Sequence, residues 1–171
     1  MTGAVMPTRV LGIDPGIALM GYGLIEDSKD TITAIDFGCL STSAREETPE
    51  RLRTLYWGII DIIERHQPSE VAVENFVARN LRTALVVGQA RGAAILAAAN
   101  KGLPVYEYTP LEVKQNVSGY GHGAKRQIQE MVKILLGLQS IPQPDDAADA
   151  LAVAICHINK THILKFTMRN E

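Results

Sequence analysis

The sequence predicts an α/β protein, a mixed five-stranded sheet flanked by helices on both faces. Three observations carry that prediction. Strand-like runs "TRVLGID", "MGYGLIED" and "TITAIDFGCLST" follow one another at hairpin distance. Beyond residue 48 the hydrophobic period changes to that of a helix, and helices then alternate with two further strands. The stretch "PDDAADALAVAICH" is apolar almost all round after its aspartates, as a helix buried in a core would be.

Each element has its own signal. The first strand stops at Pro15-Gly16, a turn. In "TPERLRTLYWGIIDIIERHQP", Leu52, Leu55, Tyr56, Ile59, Ile60 and Ile63 share one helical face, with Thr48 as the expected cap and Pro49 at the first position. "SEVAVEN" is a strand expected to be buried on both faces, and "LPVYEY" is the fifth. Between them "NLRTALVVGQARGAAILAAANKG" makes a long helix stopped by Gly102, with a small-residue stripe of Gly88, Gly92, Ala93 and Ala97 suited to close packing. "TPLEVKQNVSG" opens with a capping box of Thr109 and Glu112. "AKRQIQEMVKILLG" is a further helix, its apolar side expected to be Ile128, Met131, Val132, Leu135 and Leu136. The whole chain, 1–171, has the length of a single domain, with tails at about 1–8 and 161–171 expected to fray.

Composition narrows the function. No stretch reads as a signal peptide or membrane span, because Gln89 and Arg91 interrupt the longest apolar run. Cys39 and Cys156 lack metal or redox spacing and fit free thiols in a reducing cytoplasm. A net charge of −2 argues against a nucleic-acid partner, yet residues 75–133 hold eight basic and three acidic residues, a local balance of +5. The rest of the chain therefore sums to −7.

Asp14 ends the first strand, Glu74 the fourth, and Asp146 and Asp149 lie three apart at the start of the last helix. Each has a structural explanation alone: a turn residue, an exposed strand end, a solvated helix face beside a capping Asp145. Strand ends of an open α/β sheet are where ligands collect, however, and converging carboxylates repel unless a hard cation lies among them. Oxygen-only ligands favour Mg²⁺ or Mn²⁺, and two such ions suit phosphodiester displacement.

The motifs "GIDPG", "GYG", "AVEN", "ALVVGQARG", "VYEYTPLEVKQNVSGYG" and "DDAADALAVAICH", in that order from about residue 9 to 160, resemble the RuvC family of Holliday junction resolvases. The resemblance implies an RNase H-like fold and a homodimer that cuts two symmetric strands of a four-way DNA junction in recombination and repair. It also implies a branch-migration helicase complex as partner. By position, the family's acidic quartet falls on Asp14, Glu74, Asp146 and Asp149, with two Mg²⁺ (or Mn²⁺) per site. Its basic residues near the scissile phosphate fall on Lys114 and Lys125, the latter counted with the catalytic set. The fourth-strand loop "ENFVARN" is one residue shorter than the family's usual one, which brings Phe76, its candidate base-stacking aromatic, closer to Glu74. An apolar residue tucked beneath the loop is the other reading of Phe76.

Arg79 and Arg82 flank Asn80 at a helix start, where cations oppose the dipole, and phosphate would compensate. These three residues are candidate DNA contacts, against a solvated helix face. "GYGHG", 119–123, is a connector that closes over DNA or simply ends a helix, with His122 a phosphate contact or a solvated loop residue. Three competing classes are an actin-like kinase, a junction-binding module without catalysis, and a related nuclease of RNA. One domain, no adenosine segment and an intact acidic quartet stand against the first two.

Overall fold

Alternation along the first strand sorts the molecule into two layers. The computed structural model describes residues 6–29, 31–76, 79–119 and 123–168. In it β1 (Thr8–Asp14) sends Leu11 and Ile13 into one core and Val10 into the other, because successive strand side chains point to opposite faces. β2 (Leu19–Ser28) and β3 (Thr31–Ser41) follow as antiparallel neighbours. α1 (Thr48–His66), β4 (Glu70–Glu74), α2 (Leu81–Asn100), β5 (Val105–Tyr108), α3 (Pro110–Ser118), α4 (Lys125–Leu135) and α5 (Asp145–Met168) complete the order. The sheet reads β3-β2-β1-β4-β5, with β4 parallel to both β1 and β5. This is the mixed five-stranded sheet that the sequence predicts.

The α1 and α2 helices cover the face carrying Leu11, Ile13, Met20, Leu24, Val71 and Val73. The α3, α4 and α5 helices cover the face carrying Val10, Ile25, Ala72 and Tyr108. β4 is buried on both sides, as expected, with Val71, Ala72 and Val73 all at 0% exposure. Each valine withdrawn from water in this way stabilises the fold by about 1.5–3 kcal/mol.

Three local details differ from the sequence reading. The chain enters α1 one residue early: Glu47 holds the extended cap backbone, without a side-chain cap bond, and Thr48 is already helical. Pro49 is tolerated in that first turn because N–H groups there lack helical partners anyway. On α4 the contact stripe runs through Ile128, Met131, Val132 and Leu136, leaving Leu135 exposed at the helix end. Residues 161–168 continue α5 rather than leaving it. The capping box on α3 forms as predicted: Thr109 Oγ1 accepts from the Glu112 N–H (3.2 Å) and the Glu112 carboxylate from the Thr109 N–H (2.8 Å).

What seats α5 on the sheet is glycine. A Cβ on Gly21 would lie 2.0 Å from the carbonyl oxygen of Asp146, and one on Gly12 would lie 2.1 Å from that of Ala150. Helix backbone therefore rests directly on strand backbone, which only glycine permits. Among the described residues, no helix is long and apolar enough to cross a membrane.

Candidate active site

Register determines where the acidic residues meet. On β1, Asp14 has the parity of Val10 and Gly12; on β4, Glu74 has that of Ala72. Both therefore face α5, and the pairing of Ile13 with Val73 sets their strand ends side by side. α5 begins there, its Asp146 backbone resting on Gly21. The result is one open cleft of about 410 Å³, lined by Asp14, Glu74, Asp146 and Asp149, with Lys114 of α3 and Lys125 of α4 at its border. Phe76, just past Glu74, also lines it.

The carboxylates act on one another. Burial, then the charges of Glu74 and Asp149, push Asp14 up to about 9, so at neutral pH it keeps a proton that it shares with Glu74. Burial also raises Glu74, with Lys114 and Lys125 pulling the other way. Burial raises Asp149 too, opposed by Lys125. These are the shifts expected when acids crowd a place of low dielectric. A divalent cation would relieve that repulsion, and an all-carboxylate donor set fits a hard one. Among the described residues, no three side chains stand ready as a coordination cage. The Asp14–Glu74 hydrogen bond turns those two carboxylates towards each other, and the ion pair with Lys125 turns an Asp149 oxygen towards the ammonium.

The lysines differ in their surroundings. Lys125 Nζ lies 3.3 Å from Asp145 and 3.5 Å from Asp149. Lys114 has no ion-pair partner among the described residues, and neither do Arg79 and Arg82. Arg91, Lys101 and Arg126, by contrast, are paired with Glu107, Glu64 and Glu130. The Arg91 and Arg126 pairs lie wholly within residues 75–133 and leave the surplus read there unchanged, whereas Lys101, with Glu64, and Lys125, with its α5 aspartates, are neutralised by acids from outside it. Asn80 caps α2, its side-chain oxygen accepting the Thr83 N–H at 2.9 Å. Phe76 is 41% exposed rather than tucked away. Val77, Ala78 and the connector residues Tyr120, Gly121 and His122 lie outside the described residues.

Several residues of the site escaped sequence reasoning. Gly12 and Gly21 seat the helix, and the alternation in "GYG" was the available signal, since glycine inside a strand marks close backbone approach. Cys39 pairs across the sheet with Gly21, beside the start of α5. Burial and the neighbouring Asp146 and Asp14 push its thiol up to about 11, which keeps it neutral. Asp145 does not serve as a simple cap: its carboxylate is bound by Gln129 and Lys125 of α4.

An α/β sheet of this order, with four carboxylates gathered at the ends of its two central parallel strands, is the framework of an RNase H-like protein. The family model described as "Crossover junction endodeoxyribonuclease RuvC" matches residues 10–157, and the chain belongs to that family. It is 58% identical over 156 residues to the crossover junction endodeoxyribonuclease RuvC of Desulfitobacterium hafniense, covering 91% of this chain and 94% of that one. It is 57% identical over 150 residues to the protein of that name from Chloroflexus aggregans, covering 87% and 92%. Among solved structures, Thermus thermophilus RuvC in complex with a Holliday junction substrate superposes with a TM-score of 0.87 at 37% identity, over 91% of this chain and 96% of that one.

Proposed function

We propose that this protein resolves four-way DNA junctions by hydrolysing one phosphodiester in each of two symmetric strands. The observation that carries the reading is the convergence of Asp14, Glu74, Asp146 and Asp149, from two strand ends and a helix start, on one cleft edged by lysines. Those four carboxylates would hold the divalent ions, two per site, Mg²⁺ or Mn²⁺. Once bound, such ions stabilise charge on the attacking and leaving oxygens. Lys114, which forms no ion pair among the described residues, neutralises backbone phosphate at the cleft. Lys125, on the other side, faces the scissile phosphate. Arg79 and Arg82 extend the basic track along the start of α2, and Asn80 holds that helix end in place. Phe76 offers a ring at the rim on which an unpaired base can stack.

Symmetric cutting needs two sites, hence a homodimer. α2 supplies a face for it: Leu81, Leu85, Gly88, Gly92 and Leu96 form an exposed stripe at helical spacing, and a Cβ on either glycine would meet open space. Two copies of such a stripe pack closely in an isologous contact. By its family, the protein works in the cytoplasm on junctions handled by a branch-migration helicase complex.

The test is cleavage of a four-way DNA junction, matched duplex and RNA–DNA hybrid, with Mg²⁺, with Mn²⁺ and with chelator. Paired symmetric nicks in the junction alone, lost with chelator, are expected. Equal cutting of duplex or hybrid would refute the junction assignment.

A further inference from the structure

Lys125 is the first residue of α4, where outward-pointing N–H groups disfavour a cation. That helix has neither a side-chain cap nor an acidic residue in its first turn. The counter-charge comes instead from α5, through Asp145 at 3.3 Å and Asp149 at 3.5 Å. Asp149 lines the cleft with the other acids, whereas Asp145 is an exposed residue outside that lining. The second Asp145 oxygen accepts a hydrogen bond of 3.0 Å from Nε2 of Gln129. Gln129 lies one turn along α4 from Lys125 and is only 7% exposed. A carboxamide buried among Ile128 and Val132 is costly unless bonded, and its bond goes to Asp145.

We propose that Asp145 is a positioning residue: clamped by Gln129, it fixes the Lys125 ammonium at the edge of the cleft. The inference rests on the reading of Lys125 as a phosphate-facing group. Asp149 has two claims on its oxygens, Lys125 and the acidic set. When Asp149 turns to the acidic set, Asp145 is the counter-ion that stays with Lys125. Without it, the ammonium swings on a flexible stem, and its alignment with phosphate is lost.

A double-mutant cycle tests this. Asp145→Asn keeps an acceptor for Gln129 and removes only the charge. Single-turnover cleavage of a bound junction should fall about fivefold, or about 1 kcal/mol, with junction affinity unchanged or tighter. In a Lys125→Ala background the same substitution should cost nothing further. A bystander aspartate predicts tighter binding at an unchanged rate, which would overturn the proposal. So would a fivefold loss that persists without Lys125. If Lys125→Ala alone cut at the wild-type rate, the phosphate role of Lys125 would have failed, and the proposal with it. A readout independent of cleavage is the side-chain ¹³Cε resonance of Lys125 in metal-free protein, assigned by its loss in Lys125→Ala. It should shift and sharpen in Asp145→Asn and in Gln129→Met, and an unmoved resonance would overturn the clamp.

Discussion

Replacing Gly21 with alanine should damage catalysis from a position that touches neither substrate nor metal. The added Cβ would lie 2.0 Å from the Asp146 carbonyl oxygen, where ordinary contact begins at 3.4 Å, so 1.4 Å must be absorbed by β2, by α5 or by both. The obstacle is backbone on both sides, and no side-chain rotation relieves it. Overpacking of this kind costs about 1–3 kcal/mol, and each kcal/mol lowers Tm by about 2–4 °C at this size. The larger effect is on geometry, since Asp146 and Asp149 ride on the displaced turn while Asp14 and Glu74 stay with the sheet. A misplacement of about 1 Å in a reacting constellation can cost about 100-fold in rate. Single-turnover cleavage of a four-way junction should therefore fall by about that factor, with junction Kd little changed and the melting temperature a few degrees lower. Gly38→Ala is the comparison, because its Cβ would meet only the far end of the Tyr22 side chain, at 3.0 Å. It should melt slightly lower and cut within about threefold of wild type. A Gly21→Ala enzyme as fast as the Gly38→Ala one would refute the seating argument.

Other perturbations have equally definite outcomes. Asp14→Asn, Glu74→Gln and Asp146→Asn should each abolish cleavage yet bind junction DNA, and near-wild-type cutting by any of them would remove that residue from the site. In chelator, Asp14→Asn should also melt higher than wild type. A carboxyl raised to about 9 weighs increasingly against the folded state as pH climbs from its unfolded value, so the gain should grow with pH. Lys114→Ala should weaken junction binding and reduce the slope of log K against log salt by about 1, and an unchanged slope would place Lys114 outside the interface. Glu112 is held below the usual carboxylate range by Lys160 and the Thr109 N–H. It should stabilise the fold at neutral pH and lose that contribution as pH falls below about 4.5; a Glu112→Gln melting deficit that failed to close in acid would contradict this. Phe76→Ala should slow cutting of an intact junction more than of one with unpaired central bases, since stacking is worth about 1–3 kcal/mol, whereas equal losses with a lower Tm would mean a packing role.

The sheet was legible because period-two burial and turn residues are local signals: "TRVLGIDPG" announces both the strand and the position of Asp14. The acidic set was legible for the same reason, since strand ends and a helix start are identifiable places. Cap residues were less so. Thr48 and Glu47 both have oxygen-bearing side chains, and the choice between them rests on one residue of backbone geometry. Long-range pairing was not legible at all. Nothing near Arg91 in sequence reveals that Glu107 will neutralise it, and nothing near Asp145 reveals Gln129, sixteen residues away on another helix. A charge count over 75–133 misses pairs that cross its ends, such as Lys101 with Glu64, while Lys114, Arg79 and Arg82, without an ion-pair partner among the described residues, keep its sign.

The acidic residues differ in what holds them. Asp14 and Glu74 end neighbouring parallel strands, so the ladder that builds the core also sets the distance between them. Asp146 and Asp149 belong to a helix whose place depends on strand residues with no side chains, Gly12 and Gly21. Lys125 comes from a third element and is tied to that helix through Asp145 and Gln129. Errors therefore propagate outward. A shift of the sheet would move everything together and preserve the cleft, whereas a shift of α5 would separate one pair of acids from the other and take Lys125 with it. The part of this fold under the tightest geometric constraint is thus the bare backbone contact beneath the first turn of α5, not the acidic side chains that the contact serves.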